Sequence, residues 1–131
     1  MVDVLGMRGE AQLGMMRLII GAKWSSTWTM RGWLACRLSG LPFETETLFL
    51  SRHDSKAKLA EISPTGLIPV LYHDGLAITD TLAIAEYLWE VAPGCDIWPQ
   101  DRAARTAARS TAAEMHAHFA ELRAALPMNL V

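Results

Sequence analysis

Three short groups of residues in this sequence have the types and spacing to hold a polar ligand. Ser25-Ser26-Thr27 stand just ahead of a run with helical periodicity, where a hydroxyl either caps the helix or faces something bound over its first backbone N–H groups. Asp80-Thr81 stand at the head of a second run, in which Ile84, Tyr87, Leu88 and Val91 fall at i, i+3, i+4 and i+7. A helix N-terminus with free N–H groups favours an anion, although the same two residues are also ordinary N-caps. Ile68-Pro69 comes directly before the apolar run Val70-Leu71-Tyr72. A proline there cannot donate to a sheet ladder, so it belongs at a strand start or in a tight turn, with the Ile68-Pro69 bond expected to be cis and a plain trans turn proline as the alternative, and it leaves the backbone of Ile68 open to pair with something else. Together the three groups describe a site for a peptide bearing a carboxylate.

The elements that would position them follow in close order. Leu18-Ile19-Ile20 reads as a short strand ending at Gly21, and the loop to Thr27 leads into a helix with Met30, Trp33, Leu34 and Leu38 on one face and Gly40 as its C-cap. Phe43, Thr45, Thr47 and Phe49 make residues 44–50 a half-exposed strand. A brief helix begins near Asp54 and carries Ala57, Leu59 and Ala60 until Pro64 stops it. Val70-Leu71-Tyr72, a His73-Asp74-Gly75 turn and Leu76-Ala77-Ile78 form a hairpin that feeds the Asp80 helix. This is an α/β chain of βαβ then ββα order. Residues 92–100, with Pro93, Gly94 and Pro99, read as a linker, and Asp101 as the N-cap of one long helix repeating Met115, Phe119, Leu122 and Leu126. Such an amphipathic helix needs partners: later helices beyond Val131, the first domain, or another subunit.

Composition narrows the function. The 131 residues are 51% hydrophobic with a formal charge of −2, enough for one core and without the basic field that nucleic acid requires. No run is long and apolar enough for a membrane span, and residues 1–15 lack the pattern of a secretory signal, so they read as a flexible extension of a cytoplasmic protein. Cys36 and Cys95 form no Cys-x-x-Cys pair, Cys36 reading as a buried helix residue, and His116 and His118 do not share a helix face, so no metal is expected. Trp24, Trp28 and Trp33 read as core or interface residues in preference to a stacking platform, and Arg102, Arg105 and Arg109 as a solvated face with a smaller chance of touching a ligand or second subunit.

Over residues 63–88, SPTGLIPVLYHDGLAITDTLAIAEYL, the chain resembles the second half of the thioredoxin-like domain of the glutathione transferases. Ile68-Pro69 stands in place of that family's Val-(cis)Pro, and Asp80-Thr81 where Glu-Ser is usual. MRLIIG from Met16 is similar to the family's first strand, SSTWTMRGWLACRLSGLPFE to its catalytic loop and first helix, and IWPQ at 97–100 to its LWPQ-like junction. The resemblance implies a thioredoxin-like, glutathione-binding domain over 16–91, a linker over 92–100, and over 101–131 the first helix of an all-helical second domain. It also implies glutathione as co-substrate, with Ile68 pairing with its cysteinyl backbone, Asp80 taking the ammonium and Thr81 the carboxylate of its γ-glutamyl end. Ser26 takes the place of the serine that contacts the thiol, with Ser25 or Thr27, or capping alone, as alternatives. Arg31 reads as a structural partner, and His53 and Lys58 more as solvated charges than as ligands of the glycine carboxylate. The implied activity is transfer of glutathione to a small electrophile, by a homodimer when full length. A glutathione-dependent isomerase and a non-enzymatic protein-binding adaptor of the same fold are the alternatives.

Overall fold

Leu18, Ile19 and Ile20 are all fully buried, and an apolar run of this kind is stable only as a strand with neighbours on both edges. A computed structural model, which describes residues 14–49 and 55–130, supplies those neighbours. β1 (Met16–Ile20) lies inside a four-stranded mixed sheet with β2 (Phe43–Thr47), β3 (Val70–His73) and β4 (Leu76–Thr79), in the order β2-β1-β3-β4. β2 runs parallel to β1, with Met16 opposite Phe43, while β3 is antiparallel, with Leu18 opposite Leu71. The β3–β4 hairpin turns through Asp74 and Gly75 at φ 48° and 78°, the pair of positive values that a two-residue turn demands. Its register sets Val70 opposite Thr79, so Pro69 and Asp80 emerge side by side at one end of the sheet.

The helices are α1 (Thr27–Ser39), α2 (Ser55–Ile62), α3 (Thr81–Val91), α4 (Arg102–Ala117) and α5 (Ala120–Ala125). This is the thioredoxin-like βαβ-ββα order followed by a helical C-terminal region. α1 and α3 meet over one face of the sheet, where Leu18, Ile20, Cys36, Leu71, Ile84 and Leu88 form the core. His73, buried at the end of β3, reaches the Tyr87 hydroxyl of α3 through Nδ1 at 2.7 Å and ties sheet to helix.

Three expectations need correction. The buried face of α1 is Thr29, Gly32, Ala35, Cys36 and Ser39, whereas Leu34 and Leu38 are 44% and 48% exposed. The reason is close approach: a Cβ added at Gly32 would lie 2.8 Å from Cγ of Pro69, so only small side chains fit between α1 and what it covers. The long C-terminal helix is two helices. α4 ends at Ala117, Phe119 takes φ 62°, and Arg123 donates from Nη1 to the carbonyls of Met115 and His118, satisfying groups that a continuing helix would have used. Met115, Phe119, Leu122 and Leu126 are all left exposed.

The arginines of α4 are no simple solvated face. Arg109 makes a bidentate pair with Glu86 of α3, Nε to Oε1 at 2.8 Å and Nη2 to Oε2 at 2.5 Å, and lies over Trp89 and Trp98. Arg105 donates to the carbonyls of Pro99 and Gln100. With Trp98 buried in the core cluster, the segment expected as a linker is anchored at its end and α4 is docked against α3. Residues 1–13 of the expected extension, Leu50, His53 and the helix start at Asp54 lie outside the described residues. Among those described, no helix is long and apolar enough to cross a membrane.

Candidate functional site

The loop leading to Pro69 is held by one side chain. Ser63 is buried; its Oγ donates to the Leu67 carbonyl at 2.6 Å and accepts from the Leu67 N–H at 3.3 Å, closing the turn that delivers Ile68 and Pro69 to the sheet end. The Ile68-Pro69 bond is cis. Beside it, Asp80 caps α3, its Oδ1 accepting from the N–H groups of Leu82 at 2.8 Å and Ala83 at 3.5 Å. Asp80 holds φ 77° and ψ 137°, a conformation that non-glycine residues rarely adopt and that concentrates at ligand sites.

Between these two elements lies a cavity of ≈ 320 Å³ lined by Ile68, Pro69, Asp80 and Thr81, four of the five residues singled out from the sequence. The open end of the α3 dipole and the Asp80 carboxylate put a partial positive and a full negative charge at one end of it, which suits a ligand carrying both charges. Lys58, on α2, is exposed and does not line this cavity.

Ser26, the fifth residue, is the N-cap of α1, its Oγ accepting from the Thr29 N–H at 3.2 Å. It does not line the first cavity. With Ser25, Thr27 and Arg123 it lines a neighbouring one of ≈ 200 Å³, and Trp28 borders both. Thr29 fixes the loop from the other side, its buried hydroxyl accepting from the Gly21 N–H at 3.0 Å. Cys36 takes no part in this site, since burial pushes its thiol up to about 12.

Two residues of the site were missed from sequence. His116 of α4 brings Nε2 to 2.8 Å from Asp80 Oδ2, and the edge of its ring meets Trp28 with centres 5.1 Å apart. Both line the first cavity. Metal spacing and helix face are local properties of His116, and neither carries information on an ion pair to a residue in another element. Trp28 reads from sequence as a core or interface residue, whereas it is the wall between the two cavities.

A cis-proline strand entrance and a capped α3 N-terminus on a β2-β1-β3-β4 sheet define a thioredoxin-like domain of the kind that begins a glutathione transferase. The family model for the glutathione S-transferase N-terminal domain matches residues 25–91, and the chain belongs to that family. It is 35% identical over 92 residues to "Probable maleylacetoacetate isomerase" of Caenorhabditis elegans, covering 70% of this chain and 43% of that protein. A protein of the same name from Vibrio cholerae serotype O1 is 33% identical over 106 residues, covering 79% and 49%. The chain thus spans less than half the length of these relatives. Among solved structures, a glutathione transferase homolog from Burkholderia GL BGR1 with bound glutathione superposes with a TM-score of 0.68 at 34% identity, over 80% of this chain and 57% of that one.

Proposed function

We propose that the chain binds glutathione in the cavity between Ile68-Pro69 and the N-terminus of α3 and presents its thiol to a small electrophile. The observation that carries this reading is the convergence of Ile68, Pro69, Asp80 and Thr81 on one cavity. In it the cysteinyl backbone of glutathione adds to Ile68 as a short strand, the γ-glutamyl carboxylate meets Thr81 and the helix end, and the ammonium meets Asp80. Ser26 lines the neighbouring cavity and not this one, so this reading requires the thiol to extend past Trp28, where Ser26 is the hydroxyl assigned to it. Its cap role uses Oγ as acceptor and leaves the O–H to donate, so capping and thiolate stabilisation are compatible.

A thiol of pKa about 8.5 is only a few per cent thiolate at neutral pH, and a hydrogen bond worth about 1.5–3 kcal/mol to the anion lowers that value by about one to two units. The thiol proton leaves to solvent, and the thiolate then displaces a leaving group or adds to a polarised double bond. Residues 16–91 act as the glutathione-binding domain, 92–100 as the linker and 101–131 as the start of a helical domain. The full-length protein is read as a cytoplasmic homodimer.

Similarity to two proteins named maleylacetoacetate isomerase favours a second reading, in which the thiolate adds to a double bond and is expelled after rotation. The two differ in whether glutathione is consumed. Calorimetric titration with glutathione tests the site, saturable binding being expected and its absence counting against both readings. Turnover of 1-chloro-2,4-dinitrobenzene with stoichiometric loss of free thiol supports transfer, while isomerisation of a cis-enone diacid with glutathione undiminished supports the isomerase.

A further inference from the structure

At the end of the sheet away from the glutathione cavity, one buried nitrogen has nothing to bond. Arg17 opposite Tyr72 and His73 opposite Leu76 are the strand pairs at this end, and Ile19 opposite Val70 the pair at the other. The His73 side chain is 1% exposed. Its Nδ1 is tied to the Tyr87 hydroxyl, and its Nε2 is left without a hydrogen-bond partner among the described residues, 3.8 Å from Asp74 Oδ2. Burial, and after it the charge of Asp74, hold the Tyr87 hydroxyl above the ordinary phenol range, so it keeps its proton. His73 Nδ1 is the acceptor for that proton, and the neutral imidazole then carries its own on Nε2. This tautomer turns an N–H toward a carboxylate that stands too far off to accept it.

His73 and Asp74 line a cavity of ≈ 390 Å³ with Glu44, Tyr72, Met15 and Leu76. Asp74 uses Oδ1 to accept from the Gly14 N–H, and its Oδ2 has no donor at hydrogen-bond distance among the described residues. Glu44 has no ion pair among them either, whereas Arg17, on the same wall, is drawn to Glu46 and lies over the Tyr72 ring. An anion here would face two carboxylates, and an ammonium would face the Nε2 proton. A neutral hydroxyl is acceptor and donor on a single atom. It accepts from Nε2–H and donates to Asp74 Oδ2, and their separation of 3.8 Å lets one oxygen stand about 2.8 Å from both. Glu44 offers an acceptor for a second hydroxyl, and Met15, Tyr72 and Leu76 offer apolar surface to the carbon skeleton.

We propose that this cavity is a separate binding site for a neutral polyhydroxylated ring of the monosaccharide class, with His73 Nε2–H donating to one hydroxyl and Asp74 and Glu44 accepting from that hydroxyl and its neighbour. The site shares no residue with the glutathione cavity and does not depend on the glutathione reading. Its two carboxylates give hydroxyl donors charge-assisted bonds, which are stronger than neutral ones. The imidazole supplies direction: held through Nδ1 by Tyr87, it presents Nε2–H in one place and costs a ligand little ordering.

Nuclear magnetic resonance of the full chain carrying nitrogen-15 histidine tests it. His73 is expected as the Nε2–H tautomer, and methyl α-D-glucopyranoside should shift its ring signals saturably. Tetrahydropyran, the same ring without hydroxyls, and n-butylammonium should not. Asp74→Asn tolerates the positive φ and keeps an oxygen for Gly14 but turns a donor toward Nε2, and should weaken the glucoside about tenfold. Glu44→Gln, which keeps an acceptor but loses its charge, should weaken it about threefold. Both residues are exposed, so both variants are expected to fold. Saturating glutathione should leave the glucoside affinity unchanged. An Nδ1–H tautomer, no saturable shift, equal or tighter binding of tetrahydropyran or n-butylammonium, unchanged affinity in Asp74→Asn, or displacement of the glucoside by glutathione would each overturn the proposal.

Discussion

α1 and α3 both begin on a capping side chain beside a cavity, yet the two helix starts are built for different work. At α3, Asp80 has a positive φ, a carboxylate shared between the helix N–H groups and His116, and the cis Ile68-Pro69 bond as its neighbour across the hairpin register. At α1, Ser26 sits in ordinary extended backbone at φ −122° and caps with a neutral hydroxyl in a loop of further hydroxyls. A charged cap in an uncommon conformation suits recognition of a charged ligand end. A neutral cap in a relaxed one suits a single hydrogen bond that appears when a thiolate forms. On the proposed glutathione reading, the contrast separates affinity at α3 from activation at α1.

The strongest way to break this division is at Asp80. Asp80→Asn keeps a competent cap and tolerates positive φ, so stability should change by about 1 kcal/mol or less. Glutathione affinity should fall by about 10- to 100-fold, from loss of a charge-assisted contact worth about 1.5–3 kcal/mol. Calorimetry on the folded variant reads both quantities, and unchanged affinity would reduce Asp80 to a cap.

Gly32→Ala tests how the two helix starts are held together. Its methyl group would meet Pro69 Cγ at 2.8 Å, so about 1–3 kcal/mol of stability should be lost and glutathione affinity should weaken as Pro69 shifts. A thermal melt together with the same titration measures this, and an unshifted melt would show that α1 can slide off the proline.

Ser26→Ala should cost about 1 kcal/mol of stability as a lost cap and raise the pKa of bound thiol by about one to two units. Activity near neutral pH then falls and returns as pH rises through the new value. Thiolate absorbance followed against pH gives the answer. A stability loss without a thiol shift would make Ser26 a cap only, and Ser25→Ala and Thr27→Ala would be measured next.

The smallest effect is expected from His116→Gln, which removes the imidazole that faces Asp80 but retains a donor. A double-mutant cycle with Asp80→Asn should give a coupling of about 0.5–1 kcal/mol in glutathione binding. Zero coupling would mean that Asp80 is positioned by its own helix alone.

Much of this arrangement was legible from local signals. Asp74-Gly75 between two apolar runs specifies a hairpin, Gly40 a helix end, and Pro69 before Val70 a strand entrance, because turn and cap chemistry depend on adjacent residues. The face of α1 was not legible. Leu34 and Leu38 have the hydropathy of core residues, but Gly32 must lie against Pro69, and that distance depends on how two remote elements pack. Arg105 and Arg109 read as solvated for the same reason, since Glu86, Trp89 and Trp98 become their partners only when α4 docks on α3.

By itself the sequence determined the order of elements from β1 to α3, the hairpin, the caps on α1, α3 and α4, and the residues around Pro69 and Asp80 from which a glutathione site can be argued. Only the tertiary structure decided that Ser26 borders a second cavity, that His116 pairs with Asp80, and that His73 is left with an unpartnered ring nitrogen beside Asp74. The physical reason is range: hydrogen bonds of turns and caps close within a few residues, whereas charge pairing and cavity walls depend on which distant surfaces the core brings into contact.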